Sequence, residues 1–308
     1  MMILAADIGG TNCRLALGEE AGILHTRRVP TALLRSPEDL TALLLDFLEG
    51  AVPKALALSL AGPVTQEGGG ITATGLSIPR KELEEAFPHT PLSLLNDLEA
   101  FALGMGEGLL LKPGRLEEEG ARGLLVPGTG LGEALILHGR PWTGEGGHQD
   151  LAPGNGEERE LAAWLEEAYG GHVSLERALS GPGLRNLWAF HKGRPPGAGL
   201  EEVPVPEEIL PAALGGDLLC GKVLDGFLAL LGAEAGNLAL RSLTRGGIYL
   251  GGSLLLSLPR ERLLSGFLPR FLAKGRMETL LEEIPLFLVQ EKEAALQGAC
   301  RRAAEISL

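Results

Sequence analysis

The stretch LAADIGGTNCRLAL (residues 4–17) contains two apolar runs on either side of a short polar segment. Each run is typical of a β-strand, and the segment Gly9 to Asn12 between them predicts a tight turn. Glycine adopts a positive φ in such a turn without steric cost, so an ordinary hairpin is one interpretation. The other is a nest of backbone amides that binds an anion, with the Thr11 hydroxyl beside it. Asp7 is the one acid in the first apolar run, and its position next to this turn suggests a functional site.

Two later segments repeat parts of this pattern. LLVPGTGLGEALIL (residues 124–137) again places a glycine turn between apolar runs, and GGIYLGGSLLL (residues 246–256) places a strand between two Gly-Gly pairs. Two similar turns, one in each of two domains, could bind a polyphosphate from both sides. The sequence contains no GxxxxGK[ST] motif, and the first turn lacks GxGxxG, which disfavours a P-loop protein and a dinucleotide fold.

The elements between these turns predict an α/β fold. SPEDLTALLLDFLEG (residues 36–50) has the N-cap, the early proline and the apolar spacing of a helix. KALALSLAG (54–62) and LSLLND (92–97) predict strands, and LEAFALGMG (98–106) predicts a helix after the second of them. Strands that alternate with helices are typical of α/β architecture. A surface loop is expected over 193–206, and a final helix from about Glu291 carries small residues that permit close packing.

Composition limits the class of protein. The 308 residues are 45% hydrophobic and 22% charged, as in a globular protein of one large or two modest domains. The net charge of −13 disfavours non-specific binding to nucleic acid or to an anionic membrane. The three cysteines form no CxxC pair, so neither a disulfide framework nor a zinc cluster is indicated. The opening residues have no basic segment typical of a signal peptide, and no apolar run is long enough to span a bilayer, so we expect a cytoplasmic protein.

Four polar side chains are candidates for chemistry. Asp97 follows a predicted strand and precedes a helix, where it is either an N-cap or a carboxylate facing a ligand crevice. Asn96 beside it can donate and accept hydrogen bonds. Glu145 and His148 lie three residues apart in GEGGH, which lacks the further clustered ligands that a zinc site needs and could also be a plain loop.

Seven segments, in order, resemble the bacterial glucokinase family of the hexokinase and actin-like ATPase superfamily, from residue 4 to about residue 303. They are DIGGTNCRLAL, LLND, GTGLG, GEGGHQDLAP, HVSLERALSGPGLRNL, GNLAL and GGIYLGGS. The resemblance implies a two-domain actin-like ATPase (ribonuclease H-like) α/β fold built on a duplicated core, with a ligand cleft between the domains. It places a small domain at residues 1–106 plus 292–308 and a large domain at residues 107–291.

The resemblance also implies an activity, which is ATP-dependent phosphorylation of the 6-hydroxyl of glucose to glucose 6-phosphate. It implies that Asp97 is the general base and that ATP is bound with Mg²⁺. The sugar-binding residues that it implies are Asn96, Asp97, Glu145, His148 and Glu176. The ATP-binding residues are Asp7 (also an indirect contact of Mg²⁺), Gly9, Gly10, Thr11 and Asn12 on one side, Gly128, Thr129 and Gly130 on the other, and Gly251 and Gly252 near the adenosine. The expected partners are glucose and ATP, with no nucleic acid or membrane, and a homodimer is expected because relatives often are homodimers.

One segment departs from the family pattern. In TATGL (residues 72–76), Ala73 stands where relatives usually carry Asn, and Leu76 stands where they carry Trp. Losing an amide and an indole near the sugar predicts relaxed selectivity, so a broader hexokinase that also accepts mannose or glucosamine is the alternative. For Glu176, the alternative is an exposed position on a helix, since LERAL is a good helical sequence.

Three other classes of protein fit less well. Sugar kinases of the repressor–kinase (ROK) type typically add a cysteine-rich zinc motif, whereas GGHQDLAPGNGEERE contains no cysteine. A non-catalytic sugar-responsive regulator is expected to carry a DNA-binding helix pair before the first glycine turn and to be less acidic. An ATPase of the actin or heat-shock type would leave the GEGGH and LSGPG segments without a purpose.

Overall fold

The computed structural model describes residues 2–19 and 22–308 and divides into two compact units. Unit 1 is Met1–Gly106 with Glu293–Leu308, and unit 2 is Glu107–Lys292. The strands, numbered along the chain, are β1 Ile3–Ile8, β2 Asn12–Glu19, β3 Gly22–Pro30, β4 Leu56–Leu60, β5 Gly68–Ile71, β6 Leu76–Pro79, β7 Leu92–Asn96, β8 Leu109–Lys112, β9 Arg122–Pro127, β10 Leu131–Leu137, β11 Arg140–Gly144, β12 Ile248–Leu250 and β13 Leu286–Leu288. The helices are α1 Pro37–Leu48, α2 Arg80–Ala86, α3 Asp97–Gly104, α4 Gly156–Tyr169, α5 Gly181–His191, α6 Pro206–Leu214, α7 Leu218–Ser242, α8 Ser253–Leu256, α9 Arg260–Leu272, α10 Glu278–Glu283 and α11 Ala294–Ile306.

The two units repeat one sheet order. In unit 1 the order is β3-β2-β1-β4-β7, with β1, β2 and β3 antiparallel in succession and β4 and β7 parallel to β1. In unit 2 the order is β11-β10-β9-β12-β13-β8, where β9, β10 and β11 are antiparallel and β12 and β13 run parallel to β9. The duplicated α/β core expected from the sequence is therefore confirmed.

The sheet of unit 1 is covered on both faces. Side chains of β1 alternate, so that Leu4 and Ala6 lie in a core packed against α1, while Ile3 and Ala5 lie in a second core packed against α11. All four are buried. A strand buried on both faces has no polar alternation, which explains why LAADI and LALSL have nearly unbroken apolar runs.

Small residues let α3 and α11 approach closely. A side chain built on Gly298 would overlap the carbonyl of Ala100, and one built on Gly104 would overlap the carbonyl of Ala294. The backbones of the two helices are thus in direct contact. This explains the small residues that mark the last predicted helix, although that helix begins at Ala294 rather than at about Glu291.

Most predicted elements are confirmed. α1 begins with Ser36 in a capping box with Asp39, and Pro37 occupies its first turn. The helix predicted for LERAL is wrong, because Leu175–Arg177 is a single 3₁₀ turn and α5 begins only at Gly181. Ser180 accounts for this restart, because its extended backbone interrupts the chain and its hydroxyl accepts from Gly183 N at 2.9 Å as the N-cap of α5. Pro182 then suits the first turn of the new helix.

Within the described ranges 2–19 and 22–308, we find no helix whose length and apolar character would suffice for a membrane span.

Candidate active site

Asp7 lies near the carboxyl end of β1, at the edge where three parallel strands of unit 1 end. Its register partner on β4 is Ser59, which is fully buried and donates to Asp7 Oδ1 at 3.1 Å. Its register partner on β2 is Arg14, whose Nη1 donates to Oδ2 at 3.2 Å. The carboxylate is therefore fixed in position from both neighbouring strands.

Burial raises the pKa of Asp7, and the hydrogen bond from Ser59 and the charge of Arg14 offset part of that rise. Its side chain retains 13% exposure, so one side of the carboxylate can meet a ligand. Among the described residues, no group of three or more His, Cys, Asp or Glu side chains could bind a metal ion. A single carboxylate nevertheless suits Mg²⁺ that arrives with ATP, because that ion uses one or two carboxylates and takes its other ligands from phosphate and water.

The turn from Gly9 to Asn12 follows directly. Gly9 N donates to Asn12 O at 2.9 Å, and the Thr31 hydroxyl donates to Gly9 O at 2.7 Å, which together define the shape of the turn. Arg28 Nε donates to Asn12 Oδ1 at 3.0 Å, while Gly10 and Thr11 are exposed at the tip. The tip of the turn is thus accessible, with a guanidinium on the neighbouring strand.

Asn96 and Asp97 end β7 at the same edge of the sheet. Asn96 is the N-cap of α3, since its Oδ1 accepts from Leu98 N at 3.0 Å, and its amide also donates to Gly62 O at 3.1 Å. Asp97 is the first helical residue. Asp97 is therefore not the N-cap. The capping role, which the sequence left open for Asp97, belongs to Asn96.

The environment of Asp97 suits a proton acceptor. Its carboxylate accepts from Leu98 N at 2.9 Å and keeps solvent access. The surrounding protein displaces enough water to raise its pKa, and the negative charge of Asp7 raises it further. Displaced pKa values are concentrated at functional sites, and Asp7 and Asp97, both with a raised pKa, lie at one sheet edge.

In unit 2, the turn Gly128–Gly130 occupies the corresponding place after β9. Gly128 N donates to Gly130 O at 2.7 Å, and Gly128 O accepts from Gly181 N, at the start of α5, at 2.8 Å. Gly252, with φ +98°, follows β12, and a side chain there would lie 2.6 Å from Pro127 O. The two predicted nucleotide segments are therefore adjacent at the carboxyl ends of the neighbouring parallel strands β9 and β12.

Glu176 meets the glycine turn of unit 2. Its Oε2 accepts from Leu131 N at 3.1 Å, and a side chain at Gly130 would overlap this carboxylate. The residue is half-buried rather than on an exposed helix face. Glu176, a predicted sugar-binding residue, therefore contacts the turn Gly128–Gly130 that is predicted to bind phosphate.

Glu145 and His148 bracket the 3₁₀ helix Gly146–His148. Both side chains are exposed, and His148 Nε2 lies 4.0 Å from Glu145 Oε2. This segment joins the Glu176 turn by backbone bonds, because Leu175 N donates to Gln149 O at 2.9 Å and Leu151 N donates to Val173 O at 2.8 Å. Three of the predicted sugar residues therefore lie on two paired turns of unit 2.

The segment that departs from the family lies in unit 1. Ala73 is exposed beside the first glycine turn, since a Cβ built on Gly10 would lie 2.8 Å from the Ala73 Cβ. Leu76 is 7% exposed and belongs to the core that also contains Ile71 and Ile78. The expectation that Leu76 vacates a place beside the sugar therefore has no support, because its side chain contributes to core packing.

Several functional candidates escaped sequence reasoning. Arg14 and Ser59 fix Asp7, and both could have been found: Arg14 from the register of the predicted hairpin, and Ser59 as the one polar residue in a buried strand. Glu133, Gln149 and Arg241 form a polar cluster behind the 3₁₀ helix. The sequence gave no indication of this cluster, because its members are up to 108 residues apart.

The chain is similar in sequence and in fold to known sugar kinases. A curated glucokinase of Saccharophagus degradans is 34% identical, over 96% of each chain. The crystal structure of a glucokinase from an Antarctic psychrotroph matches with a TM-score of 0.83 and 30% identity, over 99% of both chains. A ROK family glucokinase from Streptomyces griseus, solved with glucose and AMPPNP, shares the fold with a TM-score of 0.67 and 20% identity, over 99% of this chain and 100% of that one.

The protein is a kinase of the actin-like ATPase fold, as the sequence predicted, because its two units repeat one sheet order and its fold matches that of a glucokinase. Its family is defined more closely by the family model described as Glucokinase, which matches residues 4–306. The chain belongs to the glucokinase family. The expected family, fold class and enzyme class are confirmed.

Proposed function

We propose that the protein transfers the γ-phosphoryl group of ATP to the 6-hydroxyl of glucose, with each predicted site residue in a definite role. The observation that carries these roles is the position of Asp97. It stands beside the N-cap Asn96 rather than acting as the cap, it keeps solvent access, and its pKa is raised. Family membership and the curated glucokinase relatives support the reaction itself.

Asp97 acts as the general base in this proposal. Its carboxylate accepts the proton of the 6-hydroxyl as that oxygen attacks the γ-phosphorus, and the phosphorus bond to the bridging oxygen of ADP breaks. A raised pKa makes the carboxylate a stronger proton acceptor. Phosphoryl transfer otherwise depends mainly on positioning and on neutralising charge.

The glycine turns bind the phosphates. In the turn Gly9 to Asn12 of unit 1 and in the turn Gly128 to Gly130 of unit 2, the first amide is bonded within the turn. The amides of Gly10 and Thr11, and those of Thr129 and Gly130, are the ones that cradle phosphate oxygens in this proposal. Gly251 and Gly252 lie next to the second turn, where they can border the adenosine. Asp7 would contact, indirectly, the Mg²⁺ that accompanies ATP, and that ion would supply charge neutralisation at the phosphates.

The sugar hydroxyls are bound by Asn96, Glu145, His148 and Glu176. Polar groups in a fixed arrangement reject an analogue that leaves them unpaired, so this set favours glucose. A second candidate function is a broader hexokinase that also accepts mannose or glucosamine. The methyl side chain of Ala73 supports it, because relatives usually carry Asn at this position and no amide is left there to hydrogen-bond a sugar hydroxyl. The resemblance to relatives that are often homodimers supports a homodimer, and the three free cysteines support a reduced, cytoplasmic location.

A coupled assay of the purified protein tests the proposal. The rate of ADP formation is measured with ATP and Mg²⁺ against glucose, mannose, glucosamine and fructose, and the sugar product is assigned by ³¹P NMR. Glucose 6-phosphate as the main product supports the proposal. Absence of turnover with every hexose at saturating ATP would overturn it.

A further inference from the structure

A polar cluster of two buried acids and two exposed side chains lies beside the turn that carries Glu145 and His148. Its members are Glu133 on β10, Glu234 and Arg241 on α7, and Gln149. Arg241 Nη2 donates to Glu133 Oε1 at 2.5 Å and to Glu234 Oε1 at 2.8 Å. Arg241 Nη1 donates to Gln149 Oε1 at 2.8 Å. One guanidinium therefore joins two acids to the turn.

The two acids depend on Arg241. Glu133 is 7% exposed and Glu234 is 3% exposed, so both carboxyl groups lie where an unpaired charge is strongly disfavoured. Burial raises the pKa of Glu133 to about 7, with the charge of Glu234 adding to the rise and that of Arg241 opposing it. In the described part of the chain, Glu133 Oε2 has no hydrogen-bond partner.

The cluster contacts the turn at two points. Gln149 Nε2 donates to Gly146 O at 3.0 Å, which connects Arg241 to the backbone of the 3₁₀ helix. A Cβ built on Gly146 would lie 2.7 Å from Glu133 Cβ, so the backbone of the turn rests directly on that side chain. Glu133 and Gln149 therefore both contact the backbone of the turn.

A third buried acid, Glu158, fixes the other end of the same loop. Glu158 is 6% exposed, and its Oε2 accepts from Gly154 N at 2.6 Å and from Arg270 Nη2 at 2.9 Å. Glu158 thus fixes the end of the loop 144–155 at Gly154. The contacts at Gly146, near the start of the loop, come from Gln149 and Glu133, which Arg241 joins.

We propose that Arg241 is a positioning residue which, through Gln149 and Glu133, sets the orientation of Glu145 and His148 toward the sugar. This inference rests on the proposed function, since it assigns these two side chains to sugar binding. Arg241 itself touches no reacting atom. A purely structural Arg241 would affect folding stability alone, whereas a positioning residue affects sugar affinity even where stability is unchanged.

The experiment uses the full chain and the variants Gln149→Ala, Arg241→Gln, Arg241→Lys and the Gln149→Ala/Arg241→Gln double variant. Gln149 is exposed, so its replacement removes the connection with little risk to folding. Arg245→Gln is the matched control, because the Arg245 side chain is about as exposed as that of Arg241 (47% against 42%) and makes an ion pair with the exposed Glu117 at 2.9 Å, near the same end of α7. The measured quantities are the KM for glucose, the KM for ATP, kcat and the melting temperature.

We expect Gln149→Ala to raise the KM for glucose about tenfold, because two hydrogen bonds are lost. The KM for ATP and the melting temperature should stay near those of the parent. Arg241→Gln should raise the KM for glucose at least as much, Arg241→Lys should recover part of it, and the double variant should add nothing to Arg241→Gln. Arg245→Gln should behave as the parent. Unchanged glucose KM in Gln149→Ala, or additive effects in the double variant, would overturn the proposal.

Amide hydrogen exchange separates this proposal from the proposed function. It is followed for the peptide 144–155 in the absence of any sugar. Faster exchange in Gln149→Ala and Arg241→Gln, but not in Arg245→Gln, supports the positioning role whether or not glucose is the substrate. Equal exchange in all variants overturns that role, even if the parent phosphorylates glucose.

Discussion

The carboxylate of Glu176 fills the space that a side chain at Gly130 would need. The same carboxylate accepts a hydrogen bond from Leu131 N at 3.1 Å, so it is fixed against the start of β10. Gly128, two residues earlier in the turn, has no positive φ, and a Cβ at that position would have no other atom within 4 Å. The two glycines of one turn therefore respond differently to the same substitution.

Gly128→Ala and Gly130→Ala form a matched pair. At Gly128 the added methyl group meets only an approaching ligand, so we expect the KM for ATP to rise about tenfold with little change in glucose affinity. At Gly130 the methyl group displaces Glu176, so both ATP and glucose should bind less tightly. Steady-state kinetics in both substrates check this. Equal behaviour of the two variants would show that Glu176 and the turn act independently.

Asp97→Asn removes the proposed proton acceptor and leaves the Asn96 cap in place. We expect kcat to fall about 10²-fold or more while sugar affinity changes little. Asp217→Asn, the same change at the N-cap of α7, is the control and should retain full activity. Since the base works only when ionised and its pKa is raised, the acid limb of kcat/KM in the parent should lie above the ordinary aspartate range near pH 4. Normal turnover of a folded Asp97→Asn variant would refute the assignment.

Glu133→Gln tests whether the pKa of the buried Glu133 is raised. A carboxyl whose pKa is about 7 in the folded chain and near 4.5 when unfolded binds its proton more tightly in the folded state. Its contribution to stability is therefore full below about pH 4.5 and is lost as the pH rises through about 7. The free energy of unfolding of the parent, minus that of Glu133→Gln, should decrease over this range. Urea unfolding at several pH values measures the difference, and a constant difference would mean that the pKa of Glu133 is not raised.

Ala73→Asn tests the departure in TATGL. If the small side chain relaxes selectivity, the parent should phosphorylate mannose or glucosamine measurably, and restoring the amide should lower kcat/KM for these sugars relative to glucose. Ser77→Asn, on an exposed position of β6, is the control. Because Ala73 lies against Gly10, the KM for ATP is measured as well. A parent that already rejects both sugars would place Ala73 outside the sugar contacts.

Gly298→Ala tests the contact between α3 and α11. The methyl group has no room beside the Ala100 carbonyl, so stability should fall by about 1–3 kcal/mol. Gly221→Ala is the matched control within α7, where a methyl group meets nothing within 4 Å. There the better helix former should stabilise by up to about 1 kcal/mol. The same sign for both variants in denaturant unfolding would argue against close packing at Gly298.

Local patterns predicted most of the fold, for identifiable reasons. Ser36, Pro37 and the leucine spacing define α1 within the chain segment itself, and the glycine turns join strands that are neighbours in sequence. The error at LERAL has a local cause as well, since good helix formers lie just before Ser180, which caps the next helix instead. Propensity alone does not reveal where an N-cap will restart the chain.

The candidate site was only partly accessible to such reasoning. Asp7, Asp97 and the glycine turns stand out because polar residues at strand ends contrast with apolar runs. The Arg241 cluster does not stand out, because its members come from a strand, a loop and a distant helix that only the tertiary fold brings together. Contacts at large sequence separation leave no periodic pattern in one sequence.

The contribution of α11 to unit 1 has a consequence for biosynthesis. Ile3, Ala5 and Ala57 in the first sixty residues are covered by Leu296, Ala299 and Ala303 at the other end of the chain. During translation the whole of unit 2 therefore leaves the ribosome before unit 1 can close this face. At about 5–20 residues per second, the apolar face of β1 and β4 waits on the order of ten seconds or more for its cover. For that interval the nascent chain exposes a surface that chaperones recognise, and the last helix to be made completes the first sheet.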